Sequence, residues 1–329
     1  MKLSTFFRHT LSPLALSCAL FTPLVAQAQD YPSRAISIVV GYPAGGSVDL
    51  TARLLAEELG KHLKQNIVVE NLGGAGGTIG AQRVANAKAD GYTLLVGSTN
   101  EMVIAKMINK AVTYDGAKDF TPVGMIASQP MLLAASKSMG VKNAQEYLDK
   151  VKAAAPGHYN FGSSGVGTTL HLAGEMINDS AKTKVEHVPY RGVAPLVTDL
   201  VSGQLNLGVL VLSSGLPQVK ADTIIPLGVT ESKRSPVAPD IPALAETPGF
   251  ENVDINVWFG LYTPANLPEP ILTTLRSALD TSLKSDTFRQ KMAESGATVY
   301  EPGIDPVKFQ QDETQKYGRL VDLVGLKPN

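Results

Sequence analysis

The sequence predicts an α/β chain of two units, each a mostly parallel sheet flanked by helices. Three observations predict it. Short β-branched runs such as Ile36–Val40 alternate with amphipathic stretches such as Leu50 to Leu63. The alternation restarts at about Met131. Of the 329 residues, 44% are hydrophobic and 18% charged, which is enough apolar material for a packed core.

The first residues belong to no fold. Lys2 and Arg8 precede an apolar stretch from Leu11 to Val25, which ends in Ala26-Gln27-Ala28. This is the order of a secretory signal peptide, with cleavage expected after Ala28. Fifteen residues are short for a membrane span. Cys18, the single cysteine, leaves with the leader, so neither a disulfide framework nor a Cys-based zinc site is available. A lipid anchor at Cys18 is the alternative, but Ala15-Leu16-Ser17 before it fits that signal poorly. The remaining chain carries 27 basic against 30 acidic residues, a net charge of −3. That balance offers nothing to follow a phosphate backbone, so nucleic acid is not an expected partner.

From the leader onward the elements follow in order. Ile36–Val40 is a buried strand that stops at Gly41, and Tyr42-Pro43-Ala44-Gly45-Gly46 is a loop. Ser47 is placed to cap a helix whose apolar face runs through Leu50, Leu54, Leu55, Leu59 and Leu63. Ile67-Val68-Val69 is the second strand, followed by glycines 73, 74, 76 and 77, a helix near Gly80 to Ala87, and the strand Thr93–Val96. In the second unit, Met131–Leu133 is a strand and Ala144–Ala154 a helix. Tyr159–Phe161 leads through the loop Gly162 to Thr169 into a helix that reaches Met176. Val185–Val188, Leu205–Leu212 and Ile224–Val229 are further strands. Val257–Leu261 and helices near Glu269–Lys284, Thr287–Ser295 and Pro306–Leu320 have the pattern to return to the first unit. The expected domains are residues 29–129 plus 250–329, and residues 130–249.

Two loops share one construction. Ala44, Gly45, Gly46 and Ser47 follow one strand; Ser163, Ser164, Gly167, Thr168 and Thr169 follow another. Each combines glycine with a hydroxyl residue and opens a helix. Glycine allows close backbone approach, and free N–H groups at a helix start attract anions, so the pair reads either as an anion clamp or as two ordinary βα turns. Asp49, in the first turn, reads as a brace that accepts loop N–H groups. Tyr42, Tyr190 and Arg191 lie in strand-end loops where a ring or guanidinium meets cargo, although Arg191 has an acid partner as its alternative.

Other chemistries fit less well. The Gly73–Gly80 stretch lacks the G-x-G-x-x-G spacing, and no phosphate-loop motif occurs, so no nucleotide cofactor is implied. Ser163 or Ser164 as the nucleophile of a secreted hydrolase fails the G-x-S-x-G pattern at Val166. His171, at the start of the helix after the second loop, reads as a packing or capping residue. No paired carboxylates or His-x-x-x-His spacing provide a metal site.

Over its whole mature length the chain resembles the Bug-type extracytoplasmic receptors of tripartite tricarboxylate transporters. The resemblance rests on Tyr31-Pro32 with Ile36–Val40; Pro43-Ala44-Gly45-Gly46-Ser47-Val48-Asp49; Val68-Val69-Glu70-Asn71 with Gly74-Ala75-Gly76-Gly77; and Asp90-Gly91-Tyr92-Thr93. It continues through Gly162-Ser163-Ser164-Gly165-Val166-Gly167, His171–Glu175, Val188-Pro189-Tyr190-Arg191-Gly192, Gly203-Gln204, Asp240–Glu246 and Trp258–Leu261. Ala44 stands where such receptors often carry glycine, and Leu72 where proline is common; both departures concern loop shape. The resemblance implies a two-domain periplasmic binding protein of type II-like form, with the ligand in the interdomain cleft. It also implies a small carboxylate ligand held by Tyr42–Ser47 and Ser163–Thr169, a membrane permease as partner, a monomer, and no enzymatic step. Tyr42, Ser98, Asn100, Gln129 and Ser213 are the strand-end positions expected to read the rest of the ligand. A receptor that signals to a membrane sensor shares all these features.

Overall fold

The computed structural model describes residues 31–326. The expected leader, its Ala28 cleavage site and Cys18 lie outside the described residues.

The strands are β1 (Ile36–Val40), β2 (Ile67–Asn71), β3 (Thr93–Ser98), β4 (Phe120–Ser136), β5 (Asn160–Ser163), β6 (Glu186–Pro189), β7 (Leu207–Val211), β8 (Ile224–Val229), β9 (Asn256–Pro264) and β10 (Thr298–Val299). The helices are α1 (Ser47–Leu63), α2 (Thr78–Ala85), α3 (Ala105–Ile108), α4 (Ala144–Ala153), α5 (Thr169–Ala181), α6 (Val193–Ser202), α7 (Leu212–Lys220), α8 (Glu269–Leu283), α9 (Asp286–Glu294) and α10 (Pro306–Leu323). A π-helical turn, Asn100–Ile104, joins β3 to α3.

β1 lies between β2 and β3 and pairs with both in parallel. Ile36, Ile38, Val39 and Val40 are all buried, which is why this strand reads as a continuous apolar run. β5 pairs in parallel with β6 and β7 in the same manner. Where β4 and β9 enter, the pairing is antiparallel, so the sheet is mixed. The crossover helix α7 makes β7 and β8 run the same way, and both flank β4, which runs opposite to them.

β4 is the spine. Its residues 120–130 pair with β9, and residues 131–136 pair with β7 and β8. The residues after β9 return to the first half of the chain. Helix α8 packs on α1, and α10 packs on the π-helical turn. There Gln310 Nε2 donates to Met102 O at 3.3 Å. Tyr317 Oη donates to Asn256 O at 2.6 Å.

Helix α1 starts one residue away from the sequence-based placement. Gly46 is its N-cap, Ser47 is its first helical residue, and no side chain caps it. Gly46 is extended (φ −81°, ψ 171°) and directly follows a left-handed Gly45 (φ +88°). Helix α5 is capped by Thr168.

The base of the first loop is packed backbone on backbone. A Cβ on Gly41 would sit 2.5 Å from Gly77 O, and one on Gly80 would sit 2.7 Å from Gly41 Cα. Gly41→Ala is therefore expected to lower stability by about 1–3 kcal/mol, the scale of overpacking in a close-packed interior. A chemical denaturation curve checks it; an unchanged midpoint contradicts the close approach.

Candidate ligand-binding site

The first loop leaves β1 and carries Pro43, Ala44, Gly45 and Gly46 in the open. Asp49, nearly fully buried, shapes it from behind. Its Oδ2 accepts from Gly45 N–H at 2.8 Å and from Arg53 Nε at 3.0 Å. Its Oδ1 accepts from Asn71 Nδ2 at 2.9 Å, and the same amide donates to Tyr42 O at 3.0 Å. Burial pushes the Asp49 pKa up, but the bonds from Arg53, Gly45 and Asn71 outweigh it, and the carboxyl titrates below its ordinary value. Asp49 is thus a brace, as its first-turn position suggested. With Gly45 N–H spent on Asp49, the N–H groups of Gly46, Ser47 and Val48 and the Ser47 hydroxyl have no partner among the described residues.

Below the loop is a group that sequence reasoning missed. Glu101, 1% exposed, accepts from Ser98 N–H and Ser98 Oγ, each at 2.6 Å, and from Tyr42 Oη at 2.7 Å. No ion pair meets it among the described residues. Burial outweighs the hydrogen bonds from Ser98 and Tyr42, and its pKa is pushed up to about 7. The Tyr42 ring is therefore turned inward, its hydroxyl also lying 3.0 Å from Gly76 O. Asn100 donates to the same Gly76 carbonyl at 2.5 Å. Tyr42, Ser98 and Asn100, expected to touch cargo, are tied into the support of the first loop.

The second loop leaves β5. Ser163 is fully buried; its Oγ lies 2.7 Å from His187 Nε2 and accepts from Gly165 N–H at 3.2 Å. His171 stacks on His187 with ring centroids 3.8 Å apart. Its Nδ1 accepts the Gly167 N–H at 2.9 Å, which places the proton of the neutral ring on Nε2. Burial and then the neighbouring His171 lower the His187 pKa to about 4, so that ring stays neutral. Thr168 Oγ1 donates to Gly165 O at 2.8 Å and caps α5. The hydroxyls of Ser164 and Thr169 and the N–H groups of Thr169 and Leu170 have no partner among the described residues.

β6 brings a third loop alongside. Ser163 pairs with Pro189, and Tyr190 N–H donates to Ser163 O at 2.9 Å. Tyr190 Oη is engaged by Asp199 Oδ2 at 2.8 Å. Arg191 is exposed, and among the described residues no acid pairs with it. Gln129 and Ser213 bond to each other at 3.3 Å rather than standing free. The two loops are linked by the segment that follows β3, for Gly167 lies against Ile108 at the end of α3.

The comparisons with known proteins decide the family. The model of the tripartite tricarboxylate transporter family receptor, TctC, matches residues 51–326. The chain belongs to that family. Among solved structures, Rhodopseudomonas palustris Rpa4515 with adipate is 32% identical, at a TM-score of 0.84, covering 91% of this chain and all of that one. The periplasmic binding protein BugD is 30% identical at 0.81, covering 91% of this chain and 100% of its own. MatC from R. palustris with bound malate is 31% identical at 0.79, with 88% and 100% covered. The fold is that of the two-domain periplasmic binding proteins.

This is a receptor, not an enzyme. The Ser163–His187 contact resembles a nucleophile and its base, yet Ser163 is sealed from solvent. Among the described residues no carboxylate bonds His187, so the third member of a hydrolytic triad is lacking.

The buried Glu101 makes a pH prediction. Its folded pKa lies above the unfolded one, so the native state favours the protonated form. The wild type should lose stability relative to Glu101→Gln as pH rises from about 4.5 to about 7, and the difference should level off above that. Parallel thermal melts from pH 4 to 8 read it; a pH-independent difference contradicts a buried, cation-free carboxyl.

Proposed function

We propose that the chain is a periplasmic solute receptor that captures a small carboxylate by hinge closure and delivers it to a tripartite tricarboxylate-type permease. The observation that carries this reading is the pair of helix starts, α1 and α5, each following a glycine–hydroxyl loop that leaves N–H and O–H groups unspent. A carboxylate oxygen takes Gly46 and Ser47 on one side and Ser164 and Thr169 on the other, and the helix dipoles supply the countercharge. The carboxylates carried by Rpa4515 and MatC support this class of cargo. Arg191, exposed beside the second loop and unpaired among the described residues, is available to a second carboxylate, which makes dicarboxylates the first candidates.

The lobes are residues 29–129 with 250–329, and residues 130–249. Support comes from the two places where the chain crosses between them. β4 changes its partners at Pro130/Met131, and the return passes between Thr230 and Ile255. Thr230 Oγ1 accepts from Met131 N–H at 3.0 Å and donates to Ile255 O at 2.6 Å, pinning both crossings together. Export removes residues 1–28, and the receptor acts as a monomer.

A thermal-shift screen of residues 29–329 against about a hundred small carboxylates tests the reading. An acid at 100 times its Kd adds about 2.7 kcal/mol to stability, so a true cargo is unmistakable. Dicarboxylates should head the list; no shift with any acid, and no cargo retained in native mass spectrometry, contradicts it. Gly46→Asp should abolish binding of the best-scoring acid in calorimetry while leaving the fold intact, because it sets a carboxylate where the cargo's belongs. Thr169→Val should weaken binding by about 1.5–3 kcal/mol, the worth of one hydrogen bond to a charged group.

A further inference from the structure

We propose that the segment from Asn100 to Ile108 is a closure latch that couples the two clamp loops, and that Ile108 is the residue through which the first lobe grips the second loop. This latch presupposes the receptor reading above and adds to it a residue pair that sets the ligand's residence time.

The segment has a hold on each side. Toward the first loop, Glu101 takes the Tyr42 hydroxyl at 2.7 Å, and Asn100 takes Gly76 O at 2.5 Å, the carbonyl that Tyr42 also approaches. Toward the second loop, Ile108 covers Gly167. A Cβ built on Gly167 would lie 1.9 Å from Ile108 Cδ1 and 3.4 Å from Cγ1, so the isoleucine occupies the place a side chain at 167 would need. Gly167 is itself fixed, its N–H on His171 Nδ1 at 2.9 Å and its φ at +74°. Loop and segment therefore meet as two positioned surfaces.

The segment is also stiff enough to transmit. Tyr114 Oη donates to Glu101 O at 2.7 Å. Gln310 of α10 holds Met102 O, and Lys106 Nζ holds Val112 O at 2.8 Å. A single π-helical turn interrupts regular helix here, and such turns concentrate at functional sites. By the lobe division proposed above, residues 98–108 belong to one lobe and residues 163–169 to the other. The Ile108–Gly167 contact is then broken by opening and remade by closing. Packing lost there raises the off-rate of bound cargo and leaves the encounter rate alone.

The test is a double-mutant cycle on residues 29–329 with Ile108→Ala, Gly167→Ala and both together. Stopped-flow rates and calorimetry are taken with the best-scoring acid of the hundred-acid panel. Ile108→Ala should raise the off-rate about five-fold with the on-rate unchanged, and the unliganded melting temperature should stay within two degrees or so, since the contact is between lobes. Gly167→Ala should weaken binding at least thirty-fold, through the clash with Ile108 and the strain of a positive φ. In the Ile108→Ala background, the Gly167→Ala penalty should shrink by at least five-fold, because only the strain remains. Additive effects, or an Ile108→Ala off-rate equal to that of the wild type, overturn the latch while the receptor reading stands. A wild type that binds none of the acids overturns both.

Discussion

The Asp49 carboxylate is the point on which the first loop depends. It is nearly sealed from water and holds Gly45 N–H, Arg53 and Asn71 at once. Those three belong to the first loop, to helix α1 and to strand β2, so one side chain sets the position of all three elements. Buried charge is costly unless every lone pair is met, and here the partners are sufficient to keep the group ionised. The cost is repaid in geometry: with Gly45 N–H held by Asp49, the N–H groups of Gly46, Ser47 and Val48 have no partner among the described residues.

The second loop reaches a similar end by other means. Two imidazoles, stacked 3.8 Å apart, replace the carboxylate. His171 Nδ1 accepts the Gly167 N–H, and His187 Nε2 lies 2.7 Å from the Ser163 hydroxyl. Neither loop contains lysine or arginine, so on the function proposed above an anion between them would be met by backbone dipoles and hydroxyls already held in place. Such preorganised groups lose little on binding, and their directionality favours a flat carboxylate over a diffuse charge.

Much of this was readable from residues alone. Both loops, their following helices and the bracing role of Asp49 follow from local rules of glycine conformation and helix capping. The packing role of His171 follows in the same way. β4 was legible only at Met131–Leu133, because Pro122, Gly124 and Pro130 break its pattern, and its register on β9 shifts between Pro122 and Gly124 and again between Met125 and Ala127. Helices α6 and α7 were hidden by Pro195, Gly215 and Pro217. Glu101 was not legible at all: a glutamate in an apolar stretch carries no local sign of the Tyr42 hydroxyl it meets 59 residues away in sequence. The same applies to Ile108 and Gly167, whose contact exists only once the fold brings the segment after β3 against the loop after β5. Local chemistry is written in the sequence; the supports behind it are long-range.

The central claim is that an anion is held by backbone and hydroxyl donors at two helix starts. A crystal structure of residues 29–329 with its best-binding acid tests it most directly. The account predicts carboxylate oxygens within hydrogen-bond distance of the Gly46 or Ser47 N–H and of the Thr169 hydroxyl or N–H. An acid seated elsewhere, or one held chiefly by a basic side chain with these donors left to bulk water, would contradict it.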